Sequence, residues 1–221
     1  MSESNTSVDL LERIRRELAP AEGTNRLVPL VTSGRLPRER LVALAGEEYS
    51  IIRSDRRSFL LLASRFPDAP AVDFFTGLAQ GEAVALDHLL TFAQALGKDE
   101  GDLAGHEPQP GCQAYPAYVA WLALNGSQGD VALALIANFA AWGSYCGAVA
   151  AGLRSQYGLD EQATAFFDFF ATPVPEIEQQ AIAVAEAGID AGELPEDARR
   201  YARLIQAYEL MFWNTLADGV S

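Results

Sequence analysis

The sequence has little of the material from which metal sites, disulfide frameworks and nucleic-acid surfaces are made. It holds two cysteines, Cys112 and Cys146, and two histidines, His88 and His106. Cysteines so few and so far apart offer neither a metal-type spacing nor a disulfide framework for a chain of 221 residues. Basic side chains number 16 against 30 acidic ones, a formal net charge of -14, so the chain repels phosphate backbones and no nucleic-acid partner is expected. The short basic clusters Arg35, Arg38, Arg40 and Arg199, Arg200, Arg203 read as solvated helix faces. Met1 to Ser7 lacks a basic segment followed by an apolar core, which argues against a secretory signal. The longest charge-free apolar stretch, Val131 to Leu153, is rich in Ala and Gly and contains Asn138 and Ser144. A central buried helix explains it better than a membrane span. A soluble, cytoplasmic protein without a membrane partner is the expectation.

Strand-type alternation is also missing, and Ala and Leu dominate over Val and Ile, which favours helix. Gly and Pro punctuation predicts an all-α, single-domain bundle, with long helices over about 37–66, 71–96, 130–156 and 195–217. Shorter helices are expected over about 8–18, 115–124, 161–171 and 175–187, and a short apolar turn over 27–31. Ser7 is a plausible N-cap, and Pro37 fits a first-turn position where its missing N–H costs nothing. Lys98 to Gly111 reads as the one real loop, either a lid or a connection, with the connection the simpler reading. Residues 1–24, a helix and loop, precede the main helical domain at 25–221.

Against that apolar background, inward carboxylates stand out. In Tyr208-Glu209-Leu210-Met211-Phe212-Trp213 a carboxylate sits inside an aromatic run. At about 100° per residue, Ile205, Glu209, Phe212 and Leu216 share one helix face. On the long second helix, Leu41, Leu44, Glu48, Ile51 and Asp55 follow the same core-facing spacing, whereas Glu47 falls with Arg40, Ala43 and Ser54. A buried charge is expensive, so Glu209 and Glu48 are either structural, Glu48 pairing with Arg53 or Arg56, or they line a cavity. Two inward carboxylates on helices distant in sequence suffice to build an internal polar site in a bundle. Aromatics thicken in the middle of the chain, where Tyr115 with Tyr118 and Trp142 with Tyr145 are each three apart and expected to share a face. Such rings are ordinarily core, yet they also hold a flat heterocycle well when a carboxylate stands at its edge.

From Asn25 to Trp213 the ordered motifs resemble the TenA family, the thiaminase II or aminopyrimidine aminohydrolase group with a haem-oxygenase-like fold. The resemblance is carried by Gly34-Arg35-Leu36-Pro37, by Glu47-Glu48-Tyr49 where the family has Gln-Asp-Tyr, and by Gly81-Glu82 to His88. It continues through Ala114-Tyr115 and Ala117-Tyr118, the helix around Trp142, Phe169-Phe170-Ala171-Thr172-Pro173, and Tyr208-Glu209 to Phe212-Trp213. It implies that Glu48 is the ring-binding acid, Tyr115 the stacking tyrosine and Glu209 the catalytic acid or base. Tyr118, Trp142, Phe170 and Phe212 complete the expected ligand-binding set. The family's cysteine nucleophile falls on Ala140, and Cys146 is six residues further, facing elsewhere on the helix. Two family tyrosines appear as Ile51 and Phe170. Loss of the nucleophile argues against ordinary thiaminase chemistry and leaves Glu209 acting on water.

A di-iron branch of the same fold needs more Glu and His ligands than Glu82 and His88, six apart, can supply, and neither histidine suits a haem. No metal or cofactor is therefore expected. The implied ligand is a small heterocycle or amine, and the implied assembly a homodimer or homotetramer. The rival expectation is a non-catalytic helical protein that binds a partner or ligand.

Overall fold

The computed structural model describes residues 7–220, and among them there is no strand. The elements are α1 (Ser7–Glu17), α2 (Leu27–Thr32), α3 (Arg38–Arg65), α4 (Ala71–Ala95) and α5 (Glu100–Ala104), followed by α6 (Pro110–Asn125), α7 (Gln128–Tyr157), α8 (Glu161–Ala171), α9 (Pro175–Asp190) and α10 (Ala198–Ala217). The all-α bundle is the expected class. Helices α3 and α4 pack along their length, α6 lies against both α3 and α10, and α7 is surrounded by α2, α8, α9 and α10. Helix α7 is long and apolar enough to cross a membrane by composition, but its neighbours enclose it within the bundle.

Several boundaries differ from expectation for local reasons. Ser7 is the first residue of α1 rather than its cap, and residues 1–6 lie outside the described ones. Pro37 precedes α3 in an extended conformation instead of opening its first turn. Phe66, ahead of Pro67, leaves helical geometry because a following proline crowds it. The expected loop at 98–111 contains α5, started by a reciprocal capping box between Asp99 and Asp102. Helix α6 begins at Pro110, in the first-turn position, well before the expected start at Tyr115. Ser127 caps α7 by accepting from the Asp130 N–H, and Gly158 ends it in the left-handed region at φ 70°.

Glu47 corrects the face assignment on α3, for it is buried and not turned outward with Arg40. Its Oε1 accepts from the backbone N–H of Gln109 at 2.8 Å and lies 3.0 Å from His106 Nε2. Next to it, Gly46 lets the His106 ring approach so closely that a Cβ there would lie 2.4 Å from the imidazole Cγ. The connection between α5 and α6 is thus keyed onto the back of α3 and is not a lid.

The core has two apolar halves. One gathers Phe59 of α3, Leu78 of α4, Ile136 of α7 and Ile205 of α10. The other gathers Ile52 of α3, Ala85 of α4, Cys146 of α7 and Phe212 of α10. Each of these helices changes from one half to the other within a few residues. At the crossing points stand Asp55, Glu82, Asn138 and Glu209. The polar residues form a belt at the seam, because a side chain there faces neither fully packed half.

Candidate functional site

A cavity of about 850 Å³ occupies this seam. That is the size range of pockets that enclose small organic ligands. Helix α3 supplies Glu48 and Asp55 to its wall, α4 supplies Glu82, α6 supplies Tyr115, and α10 supplies Glu209 and Phe212. Helix α7 contributes Asn138 and Trp142, and α8 contributes Phe170. At the rim, Arg15 of α1 donates to Glu178 of α9 at 2.7 Å and to the Ile136 carbonyl at 3.1 Å. Arg15 is the one basic side chain on the wall among the described residues, and its charge is already matched.

Four carboxyl groups on the wall, those of Glu48, Asp55, Glu82 and Glu209, are displaced upward in pKa, first by burial. Glu48 is 2 % exposed, and its Oε1 has no hydrogen-bond partner. Burial holds its carboxyl well above the usual range, and the charges of Asp55, Glu209 and Glu47 push the same way. Asp55 is raised to about 8 by burial, opposed by its hydrogen bond with Tyr115, and its Oδ1 has no partner. Glu82 is half-buried by surface area because it borders the cavity, yet desolvation followed by the charges of Asp55 and Glu48 drives it well above the usual range. Glu209 is raised to about 8 by burial, opposed by two donors. These are Asn138 Nδ2, which donates to Oε2, and Trp213 Nε1, which donates to Oε1 at 3.4 Å. Burial likewise keeps the Tyr115 hydroxyl protonated.

Of the residues singled out in the sequence, Glu48, Tyr115, Trp142, Phe170, Glu209 and Phe212 line this one cavity. Trp142 meets Phe170 edge-on at 5.9 Å between ring centroids and Phe212 at 6.1 Å. Glu48 pairs with neither Arg53 nor Arg56; Arg53 instead donates to the Tyr49 hydroxyl. Tyr118 is the correction. It stacks on Trp121 at 5.7 Å and meets Tyr208 at 5.3 Å, away from the cavity. Three residues turn a helix through about 300°, and the remaining offset of about 60° carries Tyr118 off the Tyr115 face toward α10. Tyr145 is off the cavity wall, although it and Trp142 both pack on Trp213, at 6.1 Å and 4.9 Å.

Asp55, Glu82 and Asn138 were not singled out as site residues. Asp55 already lay on the core-facing spacing of Glu48, and its charge was the available signal. In the sequence Glu82 stands out only through its spacing from His88, whose ring lies 5.9 Å from Phe169. Asn138 is a buried amide in the charge-free middle of α7, and that polarity is its signal in the sequence.

Ala140, Ile51 and Phe170 border the cavity as apolar groups. Cys146 is buried in the core and does not reach the wall. Its thiol is held protonated by burial and then by the nearby Glu48 and Glu209 charges. Cys112 is buried but off the wall, its thiol 3.9 Å from the Phe212 carbonyl, and burial also raises its pKa. Among the described residues no three His, Cys, Asp or Glu side chains are arranged to hold a metal ion.

Comparison with known structures places this architecture in the haem-oxygenase-like class. A TenA homologue from P. horikoshii superposes with a TM-score of 0.72 at 17 % identity, covering 96 % of this chain and 98 % of that one. A TenA family transcription regulator from a Silicibacter species gives a TM-score of 0.66 at 18 % identity, covering 99 % of this chain and 100 % of that one. A domain of unknown function with a haem-oxygenase-like fold, from Shewanella denitrificans, gives 0.65 at 17 % identity, covering 96 % and 88 %. No curated protein matches the chain. The model of the TENA/THI-4/PQQC family matches residues 26–218, and the chain belongs to that family.

Proposed function

We propose that the seam cavity binds a small amine-bearing heterocycle of the thiamine-related aminopyrimidine class. The observation that carries this reading is the Glu48 Oε1, buried without a partner on a wall that also holds Tyr115, Trp142, Phe170 and Phe212. An amino group placed there supplies the missing donor, and the rings sandwich a flat heterocycle. Glu209, poised near neutrality at about 8, is the group to move protons. In hydrolysis it takes a proton from water as the hydroxyl oxygen adds to the ring carbon, and returns it to the departing amine as the C–N bond breaks. Water, not a thiol, is the nucleophile, because Ala140 stands on the wall where the family's cysteine belongs.

Ligand binding without turnover is the second reading, and Ala140 is the observation that favours it. We assign the protein to the cytoplasm and to a homodimer or homotetramer; analytical ultracentrifugation tests the latter.

The decisive experiment is thermal denaturation with thiamine and with aminopyrimidines, followed by an ammonia-release assay. Binding to the folded state raises the midpoint. Glu209→Gln is expected to abolish ammonia release while leaving the midpoint shift. No shift with any of these compounds overturns the reading, and release unchanged by Glu209→Gln removes Glu209 from the chemistry.

A further inference from the structure

A ring-binding carboxylate and a late acid account for Glu48 and Glu209. They leave Asp55 and Glu82 unexplained. Asp55 lies two turns after Glu48 on the same face of α3, about 10 Å further along the helix axis. It is 3 % exposed, and its Oδ1 has no partner although it stands on the cavity wall. Glu82, from α4, stands on the same cavity wall, and among its acidic neighbours the Asp55 charge raises its carboxyl more than that of Glu48. Between the two ends, Ile51 and Ile52 present an aliphatic surface to the cavity. Ile51 lies one turn from each acid, so it sits between them on the shared face.

We propose that the cavity has two acidic stations, Glu48 with Glu209 and Asp55 with Glu82, and takes a ligand bearing two ammonium groups joined by an apolar spacer. The inference rests on the cavity taking an amine and extends it to a diammonium ligand. Burial keeps the acids of both stations protonated in the ligand-free cavity; an ammonium entering a station lets one of its carboxyls ionise beside it, and the released proton goes to solvent. One ammonium serves one station and leaves the bare carboxyl oxygen of the other without a donor. A dication matches both. It also supplies N–H donors to Glu48 Oε1 and Asp55 Oδ1, the two buried oxygens on the described cavity wall that have no partner. The Tyr115 hydroxyl already donates to Asp55 and fixes the orientation of that carboxyl at the second station. Arg15 at the rim does not compete, because Glu178 and the Ile136 carbonyl hold it. A divalent metal is disfavoured as occupant, since no three of these side chains converge on one point among the described residues.

The test compares cadaverine with n-pentylamine, equal in chain length but differing by one ammonium, by calorimetric titration of the full chain. Cadaverine is expected to bind at least about tenfold more tightly, the gain of a second, linked contact. In Asp55→Asn and in Glu82→Gln the ratio is expected to collapse to within about threefold while pentylamine affinity stays within about twofold of wild type. Equal affinity of the two amines for the wild-type protein overturns the proposal and needs no variant to fold. Equal weakening of both amines by Asp55→Asn also overturns it, as does stabilisation by magnesium or manganese where cadaverine gives none. Aminopyrimidine binding is scored separately. Cadaverine bound without aminopyrimidine binding refutes the heterocycle reading alone, and aminopyrimidine bound with cadaverine no better than pentylamine refutes the two stations alone.

Discussion

The Tyr115 hydroxyl is hydrogen bonded to Asp55, tying the aromatic helix α6 to the acidic face of α3 inside the cavity. The bond satisfies one side of the Asp55 carboxyl and leaves Oδ1 bare. What this buried acid costs, and when, follows from its protonation.

Asp55 is raised by burial to about 8, so in the folded protein it keeps a proton that the unfolded chain has already lost. Its contribution to stability is therefore fully present below the ordinary carboxylate pKa and is lost as pH rises through about 8. The groups facing it are Glu48 on α3, Glu82 on α4, Tyr115 on α6 and Glu209 on α10, with the Arg15–Glu178 pair at the rim. The ligand-free protein is expected to melt lower at about pH 9 than at about pH 6, and Asp55→Asn to narrow that gap by at least about 1 kcal/mol, or roughly 2–4 °C. Melting curves of both proteins at the two pH values decide it. A gap of equal size in the variant refutes the assignment.

Tyr115→Phe removes the donor and leaves Asp55 with neither oxygen bonded by protein. A loss of about 1–2 kcal/mol in urea unfolding is expected, with the m-value unchanged. Because the bond opposes the upward displacement of Asp55, the pH-dependent part of the stability should extend to higher pH in this variant.

Ala140→Cys places a thiol on the cavity wall, where both native cysteines fail to reach. Mass spectrometry after brief iodoacetamide treatment should show one adduct, at position 140, and none on the native chain. Rapid native labelling of Cys146 would contradict its burial and its raised thiol pKa.

Gly46→Ala drives a methyl group into the His106 ring, 2.4 Å from its Cγ. Overpacking of this kind costs about 1–3 kcal/mol. The double variant with His106→Ala should recover part of the loss, as a double-mutant cycle measures directly. Strict additivity would show that the ring does not occupy that space.

Much of this architecture was legible in the spacing of apolar residues. The long helices emerge because Pro and Gly stop them and because Leu, Ile and Phe recur at helical intervals. The inward turn of Glu48 and Glu209 was legible for the same reason. Glu47 was not, because its burial depends on a partner segment some sixty positions away in the chain, His106 to Gln109, which folds back over α3. Asp55 and Glu82 escaped selection because periodicity assigns a face but cannot show that two packed halves leave a gap between them. Tyr118 lies off the Tyr115 face because a spacing of three leaves an offset of about 60° around the helix.

Along one strip of α7 the cavity is lined by small residues, Ala140, Gly143, Ser144, Gly147 and Ala148. At Gly143 a Cβ would lie 2.8 Å from the Phe170 carbonyl, so α8 sits against bare backbone at this edge. The volume is therefore inherited as missing carbon atoms along one helix. Descendants of this chain can resize their ligand in increments of a methyl group along that strip, at Ala140, Ser144 or Ala148, without touching an acid. Gly143 is the exception, since growth there would prise the two helices apart.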